Sequence, residues 1–103
     1  MRELTGKQRR HLRALGQHLT ATLHVGHEGV SEAVVAQAEA QLETHELIKV
    51  RMSENAPDDR HATAEALAAR TRAHLAQVIG RTALLYRRRK EEPVIVLPSE
   101  DKR

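Results

Sequence analysis

A chain of 103 residues is one small domain, long enough for a single hydrophobic core and too short for two. It holds no cysteine, which excludes a disulfide framework and a thiolate zinc site and fits a reducing compartment; no apolar stretch approaches the roughly 20 residues that span a bilayer, and the amino terminus has no apolar leader. The net charge is +3, and Tyr86 is the only residue of the Phe/Tyr/Trp type, which excludes sheet modules that read single strands on exposed aromatic platforms. These features describe a cytoplasmic protein with no membrane partner.

Thr5 caps a first helix to about Gln17, with Leu12, Leu15 and Leu19 at helical spacing and Lys7, Arg9, Arg10 and Arg13 on its remaining surface. Residues 22–25 read as a short strand, followed by Gly26-His27-Glu28-Gly29. Ser31 starts a second helix through about Thr44, with Val34, Val35, Ala38 and Leu42 inward and Glu39 and Glu43 facing water. Residues 47–52 alternate from Ile48 onward, placing Ile48, Val50 and Met52 on one face and Lys49 and Arg51 on the other. Residues 55–59 form a turn ending in a cap, and an alanine-rich third helix runs from about Arg60 to Ala73.

Residues 75–79 and 82–86 flank Gly80-Arg81, a two-residue hairpin signal. The result is an α/β domain, α-β-α-β-α-β-β, with a four-stranded mixed sheet: right-handed crossovers make three strands parallel, and the hairpin adds an antiparallel fourth. Pro93 limits a further central strand, residues 94–97 add an edge strand or dock as a tail, and the domain is expected over 1–98 with a mobile tail at 99–103.

Charge is laid out unevenly. Arg2, Lys7, Arg9, Arg10 and Arg13 face Glu3 alone in residues 1–18, and Arg81, Arg87, Arg88, Arg89 and Lys90 have no acid among them. Glu28, Glu32, Glu39, Glu43 and Glu46 occupy residues 26–46 without a Lys or Arg. One basic face and one acidic face follow, and a basic face attracts polyanions through counterion release. The Gly26–Gly29 loop agrees: glycines let a surface backbone approach a phosphate, and the second helix starts beside it. A GxxG clamp of this kind serves KH-type RNA-binding modules, where it joins two helices rather than a strand and a helix.

Catalytic readings fail. His24 and His27 lie three apart across a strand–loop junction without further ligands, so neither a metal nor another cofactor is expected. His45 suits a helix carboxyl end. Ser31 is a cap, no base–orienter set accompanies any serine, and no nucleotide-binding glycine motif is present, so neither an enzyme nor a small-molecule substrate is implied.

With the element order, three phrases carry a resemblance: residues 25–32 (VGHEGVSE), 45–50 (HELIKV) and 78–87 (VIGRTALLYR). The chain resembles the CRM-domain family in its stand-alone bacterial, YhbY-like form, over roughly residues 5–98. The resemblance implies an RNA-binding domain similar in fold to the C-terminal domain of the third bacterial translation initiation factor, and a monomer is expected. It also implies association with ribosomal RNA precursors of the large subunit, in ribosome assembly. Gly26, His27 and Gly29 look like the family's loop, with Lys49, Arg81 and Arg87 as matching basic positions; Lys7, Arg9, Arg10, Arg13, Arg88, Arg89 and Lys90 complete the expected RNA contacts. Glu28 departs from the family's usual basic or small polar loop residues. The competing reading is a protein-interaction adaptor on ribosomal particles, using the acidic second helix or residues 94–97.

Overall fold

The computed structural model describes residues 3–98; the expected tail at 99–103 lies outside them. Thr5 caps α1 (Gly6–Gly16) in a reciprocal box: its hydroxyl accepts from the Gln8 N–H at 3.1 Å, and the Gln8 side chain accepts from the Thr5 N–H at 3.1 Å. Next come β1 (Ala21–Val25), α2 (Glu32–His45) capped by Ser31, β2 (Leu47–Met52), α3 (Arg60–Thr71) capped by Asp59, and the hairpin of β3 (His74–Ile79) and β4 (Thr82–Tyr86). The expected α-β-α-β-α-β-β order is the observed one. Helix α3 stops earlier than its alanine content predicts. Arg72 turns left-handed at φ 56°, and the Ala73 N–H closes on the Ala68 carbonyl at 2.9 Å.

The strand order is β1-β2-β4-β3, with β1 parallel to β2 and β4 antiparallel to both its neighbours. Three strands therefore run one way, as the crossovers require, and the fourth is inserted between β2 and β3. Its run Ala83-Leu84-Leu85-Tyr86 is buried throughout, the mark of a central strand covered on both faces.

Helices α2 and α3 cover one face, where Leu23, Val25, Val50 and Leu85 meet Ala38, Leu42 and Leu67. The other face is covered at one end only, by α1 through Leu12 on Leu47, Ala76, Leu84 and Tyr86. The inward stripe of α1 differs from the expected leucines: Gln8, Leu12 and Gly16 are buried, whereas Leu15 is 37% exposed. The reason is Gly16, where a Cβ would overlap the Leu84 side chain. Its bare Cα lets the helix settle onto the sheet and turns Leu15 to the flank.

Residues 93–98 form no strand and dock as a tail, with Ile95 and Leu97 packed beside α1 and Val94 and Val96 exposed. The hold is a carboxylate. Glu46, fully buried and at φ 65° between α2 and β2, accepts the N–H groups of Arg89 at 2.8 Å, Val94 at 2.9 Å and Ile95 at 2.8 Å. Farther on, the Gln8 side-chain amide donates to the Pro98 carbonyl at 3.0 Å.

Burial alone would raise the Glu46 pKa, but the three N–H donors and the Arg89 charge outweigh it and hold the group below its ordinary 4.5. A depressed carboxyl stabilises the fold fully above its unfolded pKa and loses that contribution as pH falls through the folded one. Glu46→Gln should therefore cost about 2 kcal/mol at pH 7, because its NH2 would oppose an N–H. In denaturant titrations that gap to the parent should narrow below pH 4.5.

Candidate nucleic-acid interface

Because α1 and the tail cover only the end of the second sheet face where β2 begins, its other end is open. There His24 stands in register with Arg51, and Arg51 with Thr82. Ile79, opposite Thr82, is 62% exposed. The Met52 N–H donates to the Arg81 carbonyl at 2.7 Å, which ties the hairpin tip to the end of β2, and Gly80 turns that tip at φ 55°. The product is a groove of about 420 Å³ lined by His24, Gly26, Arg51, Ser53, Glu54 and Arg81. Two guanidinium groups, an imidazole and one carboxylate line it beside an exposed backbone.

The two glycines of the loop do different work. Gly26 is exposed, has ordinary backbone angles, and a Cβ there would meet nothing within 4 Å. Gly29 is buried at φ 70°, and a Cβ there would stand 3.1 Å from Pro57 Cγ. Its N–H donates to the Gly26 carbonyl at 2.9 Å, and its own carbonyl accepts from Ser31 at 2.9 Å. Gly29 is thus a folding residue, a correction to the expectation that both glycines are surface contacts. The exposed stretch is Gly26, His27 and Glu28.

The remaining expected contacts fall into separate places. Lys49 is half-buried on the same face as Arg51, two residues before it. Lys7 and Arg10 are exposed on α1, while Arg9 and Arg13 are half-buried. Arg9 acts on His74, whose pKa burial already lowers and Arg9 lowers further. Arg87 needs correction as a free phosphate contact: its guanidinium donates to Glu39 at 2.8 Å, Glu43 at 3.2 Å and the Thr71 carbonyl at 2.8 Å, joining α2, α3 and β4. Glu39 and Glu43 accordingly do not simply face water. Arg88 and Lys90 are exposed beside them, and Arg89 offers its N–H to Glu46. This cluster follows Tyr86, which pairs with Leu47 at the opposite end of β2, about 13 Å along the strand from Arg51 in the groove.

Sequence reasoning named Arg51 as a face partner of Lys49 but did not place it or His24 in the site. The β1–β2 register supplies that link. Tyr86 is buried against His74, with ring centroids 6.0 Å apart, and offers no stacking platform. Its phenol pKa is raised by burial and by Glu46. Among the described residues no group of three His, Cys, Asp or Glu is placed to hold a metal ion, and no helix is long and apolar enough to cross a membrane.

A family model described as the CRS1 / YhbY (CRM) domain matches residues 4–87. The chain belongs to the CRM-domain family. That family is not one of enzymes. The chain is 44% identical over 95 residues to Probable RNA-binding protein YqeI of Bacillus subtilis, covering 92% of this chain and 99% of that one. It is 40% identical over 91 residues to Probable RNA-binding protein MJ0652 of Methanocaldococcus jannaschii, covering 86% and 67%. The solution structure of the hypothetical protein SAV1595 from Staphylococcus aureus superposes with a TM-score of 0.79 at 42% identity, over 92% of this CRM domain and 99% of that chain.

The division between the glycines is measurable. Gly29→Ala should lower stability by about 1 to 2 kcal/mol, through a left-handed φ and the push on Pro57. Gly26→Asp should leave the thermal midpoint unchanged within error while placing a negative charge in the groove. Melting both variants by circular dichroism checks the assignment.

Proposed function

We propose that this CRM domain binds structured RNA through the sugar–phosphate backbone. The observation that carries the reading is the groove at the ends of β1 and β2, where Arg51, Arg81 and His24 surround the open backbone at Gly26. Among the described residues the ion pairs are Arg70 with Glu32 and Arg87 with Glu39 and Glu43, so Arg51 and Arg81 enter none of them. Unpaired guanidinium groups suit phosphate, which they meet in a fork geometry. Lys7, Arg9, Arg10 and Arg13 extend the basic surface along α1, and Arg88 and Lys90 add a patch at the far end of the sheet. Binding of this kind is sequence-tolerant because phosphates carry no sequence information.

The finer reading is that the RNA is a ribosomal precursor of the large subunit, bound in the cytoplasm during assembly. It rests on the family resemblance, and co-sedimentation with precursor particles in cell extracts tests it. The adaptor reading loses support from Arg87, which already compensates Glu39 and Glu43 on the acidic helix.

Affinity for a structured ribosomal RNA fragment should fall steeply with added salt. Arg51→Gln and Arg81→Gln should each weaken binding and flatten the logarithmic salt slope by about 1, with unchanged melting curves. Arg87→Gln should instead lower the melting temperature. Salt-insensitive binding, or none at low salt, would overturn the proposal.

A further inference from the structure

The same sheet face carries a second concavity that phosphate contact alone does not use. An open pocket of about 400 Å³ lies between the carboxyl end of α1, the edge strand β1, the start of β2 and the docked tail. Leu15, Leu19, Leu47 and Ile95 give it apolar walls, His18 and His45 add ring nitrogens, and Lys49 supplies a positive charge. No carboxylate lines it. Leu15 is one of the few large aliphatic residues left exposed, and Gly16 is what turned it out.

Two features decide what fits. Apolar walls take a flat, weakly hydrated body, and a lysine with no acid beside it in the lining takes an anion joined to it. A nucleotide whose base has left its stack has both parts. Position agrees: Thr22 and Lys49 line the pocket, and His24 and Arg51, two residues later on the same strands, line the basic groove. The step is about 7 Å along each strand. Groove and pocket are therefore neighbours along the same two strands.

We infer that this pocket receives one unstacked nucleotide of the bound RNA, its base against Leu15 and Leu19 and its phosphate beside Lys49. The inference rests on the RNA-binding reading and adds to it: the groove holds backbone of any sequence, and the pocket selects RNA in which a base is free to leave the helix. No exposed aromatic ring is needed, because the base lies against aliphatic side chains.

The test compares an uninterrupted RNA duplex with the same duplex carrying one bulged 2-aminopurine, using the full chain at fixed low salt. The parent should bind the bulged RNA roughly fivefold tighter or more, a difference typical of one well-buried apolar contact. On binding, the fluorescence of the bulged 2-aminopurine should rise as its base leaves the stack. Leu15→Gln should abolish the preference while keeping the parent's affinity for the uninterrupted duplex. Equal binding of the two RNAs by the parent, unchanged fluorescence on binding, or an intact preference in a folded Leu15→Gln variant would overturn the pocket assignment. If Leu15→Gln fails to fold, the two parent measurements decide alone. Absence of binding to either RNA would overturn the RNA-binding reading itself, an outcome distinct from equal binding.

Discussion

The buried carboxylate of Glu46 fixes where the chain goes after its last strand. A charge with no solvent access would be costly to hold, and three backbone N–H groups from residues 89, 94 and 95 meet that cost by hydrogen bonding. The donors come from one short segment, so the carboxylate folds that segment back on itself. The backbone joins in, since the Arg87 N–H donates to the Glu46 carbonyl at 2.8 Å. Residues 93–98 are thereby laid against α1, and Ile95 and Leu97 complete the minor core on the second sheet face. Without that hold, the tail would have little but two half-buried aliphatic side chains and the Gln8–Pro98 bond to keep it there.

Electrostatics in this domain separate by layer. On the helical side, Glu39 and Glu43 are met by Arg87, whose side chain is only 14% exposed, so that this pairing serves packing between α2, α3 and β4. An exposed pair contributes little; a guanidinium held by two carboxylates and a carbonyl in a partly buried place contributes more. On the open sheet end, Arg51 and Arg81 line the groove with His24 and Glu54 and enter none of the ion pairs among the described residues. The same residue type thus acts as structure in one layer and remains available in the other.

Most elements were legible because each had a local signal: a hydroxyl or carboxylate cap at Thr5, Ser31 and Asp59, alternation along residues 48–52, and glycine at the hairpin. What escaped depended on contacts between distant segments. Leu15 matched the helical period yet turned outward, because the period cannot register that Gly16 must clear Leu84. Glu46 reads in sequence as one more surface acid of an acidic stretch, and its burial depends on N–H groups more than 40 residues away. Arg87 belonged to a run of bases that reads as exposed, but alternation after Tyr86 sends it to the helical side, where the glutamates wait. The glycine loop was legible as a motif, while the division between Gly26 and Gly29 depends on Pro57, from another loop. Arg51 and His24 were each visible; their adjacency is a property of strand register.

That register also explains why the site stays open. Covering the end of the sheet as α1 covers its beginning would bury Arg51 and His24 under apolar side chains, and an unpaired buried guanidinium costs several kcal/mol. Among the described residues the carboxylate that lines the groove with them is Glu54. Farther along, Lys49 marks the border, half-buried between the basic groove and the apolar pocket. The alternation that sends Ile48, Val50 and Met52 into the major core sends Leu47, Lys49 and Arg51 to the second face. From first to last along β2, that face passes from core to rim to open site. The side chains best suited to hold phosphate are thus the ones that keep the protein's own apolar segments away from it.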